Sequence, residues 1–176
     1  MSDNTPSTRT IFEGKVVRLE IKHIPLPDGT LAVREVIQHA GAVAIVALDE
    51  DQNIFLVRQY RVGADQSLYE IPAGLLEADE NPADSAIREL REEIGHRPGT
   101  IEPLGGFYVA PGYTTEYIHL FLAQDLTADS LQQDSDEFIE VTRVPLPEAL
   151  AMIENHTIID SKTIIGLLQV ARRLGL

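Results

Sequence analysis

Residues 74–96 read GLLEADENPADSAIRELREEIGH, and the rest of the chain is organised around them. Their second half has the pattern of a short amphipathic helix. Ala83, Ala86, Ile87, Leu90 and Ile94 recur at helical spacing as a core-facing stripe, while Arg88 and Arg91 occupy another sector. At about 100° per residue, Glu89, Glu92 and Glu93 fall within one arc of roughly 100°, so three carboxylates face the same way. Both ends are specified locally: Asn81 suits the N-cap, Pro82 the first helical position, Asp84 the first turn, and Gly95 a left-handed C-terminal closure. A docked helix of this kind holds its acids at the margin of a core. Like charges there repel one another unless a hard cation sits among them.

The spacing resembles a known signature. Gly74, five residues, Glu80, seven residues, then Arg88-Glu89-Leu90-Arg91-Glu92-Glu93-Ile94-Gly95 is similar to the Nudix box of Mg²⁺-dependent nucleoside diphosphate hydrolases. One position departs: His96 stands where the family has an apolar residue, at a site that is structural. The resemblance implies an α/β Nudix fold, an α/β/α sandwich around a mixed sheet, with the box as a loop-helix-loop.

Composition sets the outer bounds. The 176 residues suffice for one well-buried core, and 44% hydrophobic with 24% charged residues describes a globular chain. The longest apolar run, Ala42 to Leu48, cannot span a bilayer, and the N-terminus MSDNTPSTRT has no signal-peptide core, so a cytoplasmic protein without membrane association is expected. The absence of cysteine excludes thiol catalysis and thiolate metal sites. A net charge of −14 argues against gripping nucleic-acid backbones, and it requires local arginines or cations wherever a small anion binds.

In chain order, Ile11 to Ile24 and Leu31 to His39 have strand composition and flank the turn Pro25–Thr30, whose Asp28-Gly29 is a strong turn signal. This reads as a β-rich arm over residues 1–40, ahead of a main domain over 41–176. An arm so small packs on the main domain or on a second subunit. Ala42 to Leu48 and Ile54 to Tyr60 are strands, the second ending in Arg58 and Arg61, the basic residues that the charge argument requires. Leu68 to Pro72 is a short strand delivering Ala73-Gly74 into the box. Beyond it come strands Ile101 to Val109 and Glu116 to Leu122, separated by the turn Ala110–Thr115. A polar loop from Asp125 to Asp136, a strand Ile139 to Val144 and helices Pro147–Asn155 and Ser161–Leu174 complete the chain. Ser161 is the candidate N-cap of the last helix, with Ile164, Ile165, Leu168, Ala171 and Leu174 on its buried face.

The acids are where chemistry is expected. No phosphate-binding P-loop occurs, no serine sits in a G-x-S-x-G turn, and the five histidines are scattered. Clustered carboxylates with oxygen-only ligands suit Mg²⁺ or Mn²⁺. The resemblance implies that Glu89, Glu92 and Glu93 ligate metal together with the Ala73 main-chain carbonyl, while Arg88, which reaches Glu92 at i, i+4, and Glu80 support them. In the ADP-ribose pyrophosphatase branch an acidic loop beyond the box supplies a base and a further ligand. Here Asp134-Ser135-Asp136-Glu137 lies at that place, Glu137 aligning with the ligand. The base is left among Asp134, Asp136, Glu137 and a box glutamate.

Pro111 stands 15 residues after the box, as in that branch, and segments 56–61, 70–74 and 110–114 look like it as well. The resemblance thus implies Arg58, Arg61, Glu70, Pro111 and Gly112 as substrate contacts, and a homodimer in which the arm crosses to the partner. The leading expectation is hydrolysis of ADP-ribose to AMP and ribose 5-phosphate. The alternatives are hydrolysis of another nucleotide sugar such as GDP-mannose, and a non-catalytic ADP-ribose sensor, which the retained acids disfavour.

Overall fold

The computed structural model describes residues 6–132 and 138–176, which fall into two compact units. The smaller unit comprises the chain up to Gly41 together with Tyr108–Tyr117. Its three strands, β1 (Ser7–Glu13), β2 (Arg18–Pro25) and β3 (Leu31–Gln38), form an antiparallel meander. The β2–β3 turn is the expected one: Asp28 accepts from the Thr30 amide at 3.0 Å, and Gly29 takes a φ of 82° that side-chain-bearing residues avoid. The single strand expected over Ile11–Ile24 is two, because the Gly14 amide bonds the Val17 carbonyl at 2.9 Å and folds the chain back. Segment 110–115 is attached by bonds between the Ile37 amide and the Tyr113 carbonyl (2.7 Å) and between the Thr115 amide and the Ile37 carbonyl (2.9 Å). Strand β1 is exposed along its whole length, Ile11 and Phe12 included.

The larger unit is layered. Strand β4 (Ala42–Ala47) is buried at every residue and splits the core by side-chain parity. Ala42, Ala44 and Val46 face one side, with Leu167 and Val170 of helix α3 (Ser161–Leu174) and Leu146 and Ala149 of helix α2 (Leu146–Glu154). Val43, Ile45 and Ala47 face the other, with Ala86, Leu90 and Ile94 of helix α1 (Pro82–Glu93) and its C-cap. Helices thus cover both faces, which is why the β4 sequence is continuously apolar.

Two sheets supply the strands. One has the order β7 (Ala73–Leu75), β4, β9 (Tyr117–Ala128), β8 (His96–Tyr108), with β4 parallel to β9 and antiparallel to β7. The other is β10 (Glu140–Pro145), β5 (Asn53–Arg61), β6 (Gln66–Glu70), antiparallel throughout. Pairing of both kinds makes this the mixed α/β architecture expected.

Several boundaries move, each for a local reason. β8 begins at His96, not Ile101; it lies at the end of its sheet, where Pro98 and Pro103 are tolerated. β9 continues through Ala128 into the segment expected to be loop, Asp125 adopting a positive φ of 56° within it. The cap of α3 is Asp160, not Ser161, and its carboxylate accepts from the Thr163 amide at 3.0 Å. The buried face of α3 is accordingly Thr163, Gly166, Leu167, Val170 and Ala171, leaving Leu168 and Leu174 exposed. Gly166 sets the approach, since a Cβ there would lie 2.9 Å from Val46 and 3.0 Å from Ile71.

Candidate active site

Helix α1 is built as its sequence specifies. Asn81 accepts from the Ala83 amide at 2.9 Å, Pro82 starts the first turn, and Gly95 follows the C-cap Ile94 at φ 69°. Its acids reach further in than the margin of the core: Glu89 is 8% exposed and Glu93 3%. Carboxylates so buried need compensation. Arg88 supplies much of it, forming a fork on Glu80 (Nε–Oε1 3.0 Å, Nη2–Oε2 3.1 Å) while Nη1 donates to Glu89 at 2.6 Å and to Glu92 at 2.9 Å. Glu93 turns the other way and accepts from the Ala73 amide at 3.0 Å. The structure therefore brings Ala73, Arg88, Glu89, Glu92 and Glu93 together, with Glu80 behind them.

The close approach of β7 depends on a missing side chain. A Cβ on Gly74 would lie 2.0 Å from Cδ and Oε1 of Glu89. Gly74, Leu75, Leu76, Glu77, Arg88, Glu89 and Glu92 line a cavity of about 230 Å³. Glu80, Glu89 and Glu92 share the single Arg88 guanidinium, leaving two formal negative charges at its edge. Among the described residues no three acidic or histidine side chains stand closed around a cation, since Arg88 Nη1 lies between Glu89 and Glu92. The donors nevertheless fit a hard divalent cation. They are carboxylate oxygens, without thiol, carrying excess negative charge beside a glycine that leaves the carboxylate room.

The Arg88 hydrogen bonds hold the Glu80 carboxyl at about 2, well below the ordinary 4.5, and the same contact, chiefly, raises Arg88. The sign is that of a depressed acid: its contribution is complete above pH 4.5 and is lost as pH falls through about 2. Arg88→Met should therefore be less stable than wild type at pH 7, with a gap that narrows steadily as pH is lowered from 4.5 toward 2. Urea unfolding across that range is the measurement, and a constant gap contradicts the assignment.

The predicted substrate arginines lie on β5. Arg58 is exposed, 3.3 Å from Glu140 across the β5–β10 pair, with its guanidinium 5.8 Å from the Tyr69 ring centroid. Arg61 is committed to Glu70 through two bonds of 2.7 Å. Glu70 is 1% exposed and also takes Lys162, so both its oxygens are engaged. Burial pushes the Glu70 carboxyl up, but Arg61 and Lys162 outweigh it and hold it below its usual value. Arg61 is raised by its bond to Glu70, with Glu93 contributing at longer range. Pro111 and Gly112 are exposed in the turn 110–115 of the smaller unit. Asp134, Asp136 and Glu137 lie outside the described residues.

Sequence reading missed Asp160, Lys162 and Thr163. Their only local signal is a capping segment, and the partners that Lys162 and Thr163 reach, Glu70 and Ile71, lie 92 residues away. His96, the departure from the box, is half-buried with its ring 4.9 Å from that of Phe55 and Nδ1 2.7 Å from the Ile94 carbonyl oxygen, a structural placement.

The chain is 38% identical over 165 residues to an ADP-ribose pyrophosphatase of Bacillus subtilis, covering 93% of this chain and 89% of that one. It is 40% identical over 166 residues to a methanol dehydrogenase activator of Bacillus methanolicus, with 93% and 90% covered. A crystal structure titled as an ADP compounds hydrolase superposes with a TM-score of 0.86 at 25% identity, over 97% of this chain and 94% of that one. The NUDIX domain model matches residues 38–165, a span that contains the whole acidic helix, and the chain belongs to the Nudix family.

Proposed function

We propose that this protein is a Mg²⁺-dependent pyrophosphohydrolase that cleaves ADP-ribose to AMP and ribose 5-phosphate, with Mn²⁺ able to substitute. The observation that carries the reading is the set of Glu89, Glu92 and Glu93 packed against Ala73-Gly74 beside Arg88, in a chain so similar to an ADP-ribose pyrophosphatase. Glu89, Glu92, Glu93 and the Ala73 carbonyl would hold the ion, with Glu137 as a further ligand. When bound, the ion neutralises a pyrophosphate and lowers the pKa of a water for attack on phosphorus.

The chain's own residues do the rest. Arg88 fixes the rotamers of Glu89 and Glu92 and keeps Glu80 ionised behind them. Glu93 accepts from the Ala73 amide and so ties the helix to the strand that carries the main-chain oxygen. Arg58 and Arg61, ion-paired here with Glu140 and Glu70, are assigned to the anionic substrate, and Glu70 contributes through Arg61 by holding its guanidinium in one orientation. Pro111 and Gly112 are assigned to substrate contact, and the base to Asp134, Asp136, Glu137 or a box glutamate. We further propose a cytoplasmic homodimer, with the arm over residues 1–40 at the subunit contact; exposed Ile11 and Phe12 support that use.

The test is a substrate panel of ADP-ribose, GDP-mannose, NADH and diadenosine polyphosphates, each with Mg²⁺ in ¹⁸O-water and products identified by mass. ADP-ribose should be cleaved with the highest kcat/KM, and the label on AMP or on ribose 5-phosphate locates the attacked phosphorus. A preference for GDP-mannose would replace ADP-ribose as the substrate. Binding of ADP-ribose without turnover would make the protein a sensor.

A further inference from the structure

The first turn of α3 is joined to the strand end that precedes the site. Lys162 is only 9% exposed, yet its Nζ reaches both Glu70 and, at 3.1 Å, Asp160. Thr163 is fully buried; its hydroxyl donates to Asp160 at 2.6 Å and accepts from the Ile71 amide at 2.9 Å. Residues 70 and 71 are therefore clamped from one side by consecutive residues of one helical turn. From the other side Glu70 takes the Arg61 fork, and the Pro72 carbonyl accepts from the Ile45 amide at 2.8 Å. Only Ile71 and Pro72 separate Glu70 from Ala73, and proline fixes its own φ, so the chain has little slack between them. Where the clamp holds Glu70, it also holds Ala73, whose amide carries Glu93.

A buried lysine whose charge is consumed by two acids is not needed to fill space. An apolar side chain would do that without desolvating an ammonium. Its use here is geometric. We propose that Lys162 and Thr163 are positioning residues for the acidic site: through Glu70 and Ile71 they set the turn that presents the Ala73 carbonyl and the Glu93 carboxylate to a divalent cation. The inference rests on the metal-dependent reading above, and it assigns a role to the C-terminal helix, which contributes nothing to the box itself.

The test is binding of Mn²⁺ alone, followed by electron paramagnetic resonance on the full-length chain, so it is decided even for a protein that cleaves none of the panel substrates. Lys162→Met should weaken Mn²⁺ binding about tenfold, at the low end of what outer partners of metal ligands contribute. Lys162→Arg should recover most of that loss. Thr163→Val, nearly isosteric and retaining the lysine, should weaken binding in the same direction and serves if Lys162→Met does not fold. In turnover assays the Mg²⁺ concentration for half-activation should rise in parallel, with a smaller change in kcat at saturating metal. A lowered Tm with wild-type Mn²⁺ affinity in both variants overturns the proposal, because that is the outcome of a role in stability alone.

Discussion

Glu93→Gln should reduce Mg²⁺-dependent hydrolysis of ADP-ribose at least about 100-fold, beyond the roughly 10–100-fold typical of losing an outer partner of a metal ligand. The fold should survive. Glu93 is 3% exposed, and its interaction with the Ala73 amide requires an acceptor oxygen that glutamine also offers. What glutamine lacks is the charge. The substitution therefore removes a formal negative charge from a buried site without opening a cavity, and the Tm should stay within a few degrees of wild type. Initial rates over a Mg²⁺ titration, with far-UV circular dichroism as the control, are sufficient. A rate within threefold of wild type would sink the assignment of this helix to metal binding.

Gly74→Ala should damage both stability and activity, by a route that can be isolated. The new methyl would sit 2.0 Å from Cδ and Oε1 of Glu89 and 2.4 Å from Oε2, so something must move. The strand is poorly placed to do so, because Gly74 is in register with Val43 of the fully buried β4. Glu89 is displaced instead, out of its contact with Arg88. Overpacking of this kind costs about 1–3 kcal/mol, which for a chain of this size lowers Tm by roughly 2–12 °C. The double variant Gly74→Ala/Glu89→Ala should regain part of the lost Tm and none of the activity, since the clash is relieved while the ligand is gone. A single variant as active and as stable as wild type would mean that the glycine contact is dispensable.

Legibility of the fold in the sequence follows the range of the interactions. Helix α1 could be placed almost to the residue because its cap, first-turn proline and terminal glycine act within a few positions of one another. The buried strand β4 was equally plain, as a continuous apolar run means cover on both faces. The cap of α3 fell one residue away because Asp160 and Ser161 are both competent, and only the Lys162 and Thr163 contacts to β6 and the residue after it select the aspartate. In the site, the clustering of Glu89, Glu92 and Glu93 follows from helical spacing. The Arg88–Glu92 pair was expected from its i, i+4 spacing and is present, whereas the turn of Glu93 to the Ala73 amide depends on where β7 lies, which no local pattern records. Arg61 was expected to face substrate from the sign of its charge and the resemblance of segment 56–61; its bidentate engagement with Glu70 is a fact of the β5–β6 pair.

The parallel pairing of β4 with β9 bears on how the catalytic apparatus comes into being. Ala42 is matched with Ile118, so the excursion between them is 118 − 42 = 76 positions, and the whole Nudix box lies inside it. Closing so long a loop costs entropy before any contact repays it, and topologies rich in such pairings fold slowly. Until that closure, Ala86 and Leu90 lack Phe121 and Ala123 of β9 and have only the apolar residues of β4 and β5 to dock on, and a helix of 12 residues is marginal in water by itself. The acids would then repel one another on a fraying segment. A peptide spanning the box is therefore a poor surrogate for the protein, and ion binding should emerge in refolding only once the helix has docked on its sheet.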